Sequence, residues 1–189
     1  ASNDAWVGSS SEAGAASVTM SWTTSGAGAG EWAGVAISLK PANNVAPSLD
    51  VSKSPTLGTA SEDATAPAGT VGTLVSQLVD FTSPSGQVDN VTDADGGALL
   101  GIAVTAADTT NGSWWYSTNN GTIWSALGAV DNNNARTLAA DANTRLYFQP
   151  NANYNGTLAA AITFRVWDQS RGSAGSLADA LRAVLKGKT

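Results

Sequence analysis

Val91-Thr92-Asp93-Ala94-Asp95-Gly96-Gly97, running directly into Ala98-Leu99-Leu100-Gly101-Ile102-Ala103-Val104, sets two carboxylates one residue apart before a glycine pair and an apolar run. Short carboxylates beside glycine fit a tight loop whose oxygens converge, as a hard cation requires, and the run that follows reads as a strand. The stretch therefore predicts a calcium-caging loop that feeds a β-strand. The competing reading is a plain turn, because Asp readily bonds its own backbone two residues on.

The rest of the 189-residue chain agrees with an all-β reading. It can bury a full core as one large domain or as one domain with appendages. Only 13% of residues are charged, the hydrophobic 42% is rich in alanine, and 20 glycines accompany many Thr, Ser and Asn, a composition of short strands and turns. The formal net charge of -6 argues against nucleic acid and anionic membranes as partners and suits a divalent cation. The acids divide into twelve Asp and three Glu, a bias toward the residue of turns and calcium loops.

The chain has no Cys and no His. That removes disulfides, thiol nucleophiles, the usual general base and the commonest transition-metal ligand, so zinc enzymes and Ser-His-Asp hydrolases are set aside. No apolar run reaches membrane-spanning length and no secretory leader is visible at Ala1, which predicts a soluble fragment without membrane insertion.

Taken in order, residues 1–42 form a partial module. Ser17 to Thr23 and Trp32 to Leu39 alternate apolar and polar around a Gly/Ala break, which predicts an antiparallel pair too small to fold alone. The run Glu31-Trp32-Ala33-Gly34-Val35-Ala36-Ile37-Ser38-Leu39-Lys40-Pro41-Ala42 resembles the last strands of jelly-roll modules in giant bacterial surface proteins, and such strands dock elsewhere or pair with another copy. Asn43-Asn44-Val45-Ala46-Pro47 reads as a linker opening a second domain over 43–172. In it, Ser48 to Val51 predicts a first strand, and the mixed period of Val71, Leu74, Val75, Leu78 and Val79 predicts a helical turn near Val75 to Leu78.

Ser113-Trp114-Trp115-Tyr116-Ser117-Thr118-Asn119-Asn120-Gly121-Thr122-Ile123-Trp124 predicts a hairpin turning at Asn120-Gly121. Ser117 to Trp124 resembles the Asp-box, with Asn119 in the usual Asp position, and is read as structural. Trp114 and Trp115 must point to opposite faces, one inward; the outer one is an unburied hairpin face, a carbohydrate or peptide platform, or a dock for the N-terminal strands. Leu138 to Pro150 reads as a loop and then a strand that Pro150 ends, Asn151 to Gly156 as a turn and Leu158 to Trp167 as the last strand. In the tail, 173–189, the spacing from Leu177 to Lys186 predicts a short helix.

Ser61-Glu62-Asp63, Val91-Thr92-Asp93-Ala94-Asp95-Gly96, the Trp-rich hairpin, Arg145-Leu146-Tyr147-Phe148-Gln149-Pro150-Asn151-Ala152-Asn153-Tyr154-Asn155-Gly156 and Phe164-Arg165-Val166-Trp167-Asp168-Gln169 follow one another in order. With them residues 45–172 resemble the cadherin-like repeats of large bacterial RTX-type adhesins and surface proteins. The resemblance implies an Ig/cadherin-like antiparallel β-sandwich of roughly seven strands, tandem repetition, and calcium at the module ends. Carried onto this chain, it makes Glu62, Asp93, Asp95 and Asp168 the metal ligands, with Asp63, Asn151 and Asn153 as weaker ones.

The expectation is thus a calcium-binding structural or adhesive module, secreted or on a bacterial cell surface. Carbohydrate or protein would be its partner there, with homo-oligomerisation through the N-terminal strands. The alternative is a Ca2+-dependent hydrolase, in which an open calcium position activates water against an activated ester or lactone such as an N-acylhomoserine lactone. No catalytic residue is assigned. A glycosidase is disfavoured, because Asp93 and Asp95 stand too close together and no Glu is placed as the acid.

Overall fold

The structure is a computed structural model and describes residues 44–181, all within the second of the chain's two units, Asn44–Thr189. The strands expected between Ser17 and Leu39 lie outside the described residues. Within them the protein is all-β, with ten strands in three antiparallel sheets and one 3-10 turn.

The strands are β1 (Ser48–Leu49), β2 (Thr73–Leu74), β3 (Val91–Thr92), β4 (Gly101–Ala107), β5 (Gly112–Ser117), β6 (Ser125–Ala126), β7 (Ala135–Ala139), β8 (Arg145–Pro150), β9 (Ile162–Trp167) and β10 (Leu177–Ala178). Two four-stranded sheets, β10-β7-β4-β9 and β2-β8-β5-β6, carry most of the fold, and β1 pairs with β3 in a small third sheet. Ile102, Val104, Leu138 and Val166 from the first sheet and Trp114 and Leu146 from the second join one buried cluster with Val75, Leu78, Val79 and Val91.

The apolar run after Gly97 becomes β4, central in its sheet. Ile102 and Val104 enter the main core, whereas Ala103 joins Ala135 and Ala180 in a second buried group. Burial on both faces explains why the run reads as continuous apolar sequence instead of an alternation. Gly101 is forced by closeness: a Cβ there would stand 2.6 Å from the Leu138 carbonyl oxygen and 2.7 Å from the Trp167 ring.

The expected helical turn forms at Val75–Gln77, where Val75 is fully buried and its N–H donates to the Thr144 carbonyl at 2.9 Å. The hairpin also forms, with Asn120 at φ 55° and Gly121 at φ 85°. Two expectations need correction. Leu138–Ala139, read as loop, close β7, whose Ala-Arg-Thr-Leu-Ala sequence has little intrinsic strand preference but lies buried between β4 and β10. Leu177–Ala178, read as the start of a helix, instead pair with Arg136 and Ala135 along the free edge of β7. Helical geometry begins only at Ala180, and the remainder of that expected helix lies outside the described residues. The last long strand is also shorter than Leu158 to Trp167, starting at Ile162.

Candidate metal centre at the strand ends

β4 begins where β9 ends, because Gly101 pairs with Trp167. That register brings the Asp93–Gly97 loop, entering β4, beside Asp168, leaving β9. Asp93 Oδ1 accepts the Asp95 N–H at 2.8 Å, closing the loop as an Asx turn. Its other oxygen, Oδ2, is buried and has no hydrogen-bond partner among the described residues. Asp168 is 6% exposed; its Oδ1 accepts the Ser170 N–H at 2.9 Å.

The segment entering the domain ties these loops together. Asp95 Oδ2 accepts the Val45 N–H at 2.7 Å, and Asp168 Oδ2 accepts from Asn44 Nδ2 at 2.6 Å. Gln169, at φ 58°, turns back so that its Nε2 donates to the Leu100 carbonyl at 2.7 Å. Asn44 is the residue that sequence reasoning missed as part of the site. Its sequence context reads as linker, and only the fold brings it to Asp168, 124 residues away.

Glu62 is not part of this group. Its neighbour Asp63, at φ 58°, accepts the Asn153 N–H at 2.8 Å, and Asn153 follows β8 at the end where β8 meets the start of β5. That is the far end of β4, roughly 20 Å away for six residue steps along a strand. Asn151 is anchored at that same end: its backbone N–H donates to the Asn111 carbonyl at 2.8 Å and its Nδ2 to the Thr110 carbonyl at 3.4 Å. The structure thus brings Asn44, Asp93, Asp95 and Asp168 to one end and Glu62, Asp63, Asn151 and Asn153 to the other. Among the described residues, no three or more His, Cys, Asp or Glu side chains converge closely enough to hold a metal as they stand.

Other carboxylates are turn builders. Asp80 accepts from the backbone N–H groups of Gln87, Val88 and Asp89, so one side chain organises the loop before β3. Asp131 is held below its usual pKa chiefly by the N–H groups of Asn133 and Asn134, and Asp108 by that of Thr110. Asp50 is lowered by Ser52, its hydroxyl first, and Asp89 by the Gly86 N–H and then the Ser85 hydroxyl. The Asp-box-like turn is structural: Asn119 Oδ1 accepts the Ile123 N–H at 2.8 Å and Ser117 Oγ accepts the Gly121 N–H at 2.9 Å.

A cavity of about 920 Å³ opens on the side of the domain that holds Glu62, lined by apolar groups including Leu57, Trp114, Phe148, Ile162 and Phe164. Trp114 points inward, as one of the paired tryptophans must, and packs against Phe148 with ring centres 4.9 Å apart and the planes tilted by 48°. No protein-family model, no curated protein and no solved structure matches this chain.

Proposed function

We propose that the chain is a calcium-binding β-sandwich module, cadherin-like in kind, from a secreted or surface-exposed bacterial adhesin-like protein, with a structural role. The observation that carries this reading is the buried Asp93 Oδ2 without a hydrogen-bond partner among the described residues. An ionised oxygen removed from water and left unpaired is costly, and a cation is the partner that relieves the cost without any donor from the protein. Asp95 and Asp168 stand at the same strand ends, and a set of carboxylate, amide and backbone oxygens is the donor chemistry of calcium. Asp93, Asp95 and Asp168 would hold the ion, with the Asn44–Val45 segment shifting to release the two oxygens it now engages. Glu62, at the other end of the domain, lies outside this shell.

The sandwich reading is supported by the single core shared between the two four-stranded sheets. Its connectivity departs from the immunoglobulin pattern. There the last strand pairs with the strand before it; here β9 pairs with β4 instead of β8, β2 takes the place beside β8, and the final strand, β10, pairs with β7.

Melting in calcium and in EDTA tests the proposal. At a hundredfold excess over Kd, calcium adds about 2.7 kcal/mol of stability, which raises the Tm by roughly 5–10 °C for a domain of this size. Asp93→Asn abolishes the calcium-dependent rise. A Tm unchanged by millimolar calcium refutes the reading. The hydrolase alternative needs an open cation position facing a cavity, whereas the large cavity is lined by Glu62 and by none of Asp93, Asp95 and Asp168.

A further inference from the structure

The outer face of the β2-β8-β5-β6 sheet carries aromatic rings that the core does not use. Cross-strand register places Trp115 of β5 directly opposite Tyr147 of β8, on the side away from the Trp114–Phe148 pair that fills the core. Trp124, leaving the hairpin, lies edge-on against Tyr147 with ring centres 5.9 Å apart at 62°. All three side chains are half-buried, so each keeps part of its surface in water.

Both indole N–H groups are already satisfied within the protein. Trp115 Nε1 donates to Gln149 Oε1 at 3.1 Å and Trp124 Nε1 donates to the Gly69 carbonyl at 3.1 Å. These bonds fix the orientation of the rings and take the N–H edges out of competition for a ligand, while the Tyr147 hydroxyl donates to the Thr65 carbonyl at 3.5 Å. Around the rings stand uncharged hydrogen-bonding groups, the Gln149 amide and, one row along, the Ser113 hydroxyl paired across from it.

Charge narrows the occupant. β5, β6 and β8 contain no carboxylate although the chain carries a formal net charge of -6. The one cation of these strands, Arg145, is engaged through Nε with Asn120 Oδ1 at 2.8 Å and through Nη1 with the Gly72 carbonyl at 3.2 Å. These strands therefore present no free charge to select an ion. The face suits a ligand with flat C–H faces and a rim of hydroxyls, which stacks on aromatic rings and exchanges hydrogen bonds with amides and hydroxyls.

We propose that Trp115, Tyr147 and Trp124 form a binding platform for a neutral, β-linked oligosaccharide, whose pyranose C–H faces stack on the rings while Gln149 and Ser113 bond its hydroxyls. The platform is independent of the calcium reading, since it lies on strands that contribute nothing to the Asp93 loop.

Isothermal titration and saturation-transfer NMR of the full chain with cellohexaose, xylohexaose and laminarihexaose test the proposal, in calcium and again in EDTA. Trigalacturonate serves as the charged comparison. At least one neutral oligomer is expected to bind in both buffers and more tightly than trigalacturonate, with Trp115→Ala and Tyr147→Ala each weakening it about tenfold or more. Trp115→Phe keeps a ring and retains most of the binding, which separates a lost platform from a lost fold. Near-UV circular dichroism of each variant checks that the Trp114–Phe148 pair is intact. Failure of all three neutral oligomers to bind, binding untouched in a folded Trp115→Ala/Tyr147→Ala double variant, or preference for trigalacturonate would overturn the proposal.

Discussion

Asn90 carries more of the fold than its polarity suggests. It is 1% exposed, and its side chain bridges two backbone groups: Nδ2 donates to the Leu78 carbonyl at 2.9 Å and Oδ1 accepts the Asp80 N–H at 3.1 Å. Between them these bonds fasten the turn after the 3-10 segment to β3. Asn90→Ala strands both groups, at a cost of about 1–3 kcal/mol for each one that water does not reach. The expected result is a fall in the urea midpoint with little change in m, and a midpoint within error of the parent would show that water replaces the side chain. Asp93 poses the opposite case, a buried acceptor atom with no hydrogen-bond partner among the described residues. In sequence the two look alike, each a short polar residue in an Asp/Asn-rich stretch, because whether a polar atom is paired depends on which distant backbone arrives beside it.

Among the elements, β4 shows both what could be read in advance and what could not. Its apolar run marks a strand, and the Trp114–Trp115 step marks another, because a period of two assigns faces without knowledge of the partners. Asn120-Gly121 likewise announces its turn, since positive φ is a local demand. β7 gives no such sign: Ala135, Thr137, Leu138 and Ala139 are strand only because β4 and β10 flank them. Leu177–Ala178 has helical spacing, yet the open backbone edge of β7 recruits it. The candidate site divides in the same way. Asp93 and Asp95 are two residues apart and could be paired on sight, whereas the separation of Glu62 from them follows from the path of the chain between β1 and β2. Close packing at the start of β4 gives a direct test. Gly101→Ala pushes a methyl group against the Leu138 carbonyl and the Trp167 ring, and overpacking of this kind costs about 1–3 kcal/mol. Thermal unfolding followed by tryptophan fluorescence should show the lower Tm together with a disturbed Trp167 environment; an unshifted Tm would mean the β4–β9 contact yields easily.

At the scale of the whole molecule, acid response follows from composition and loop chemistry together. Asp50, Asp89, Asp108 and Asp131 all titrate below the ordinary value of 3.8 because backbone N–H and hydroxyl donors favour their charged forms. A carboxylate whose folded pKa lies below its unfolded one contributes stability that is complete above the unfolded value and lost as pH falls through the folded value. These four therefore keep their contribution down to about pH 4 and surrender it below. With no histidine in the chain, nothing of that type titrates between about pH 5 and 8. The Tm should be flat across that interval and fall only under stronger acid, and a midpoint of loss near pH 6 would contradict the assignment.

Asn44 and Val45 are the first described residues of the domain, and each is bonded to a carboxylate on a different loop. Along the described chain those two bonds come before the first sheet contact, since β1 follows them. β1 itself holds β3 through a two-residue antiparallel pairing. The clasp at Asp95 and Asp168 therefore fastens a lightly paired strand to the loops at this end of the domain.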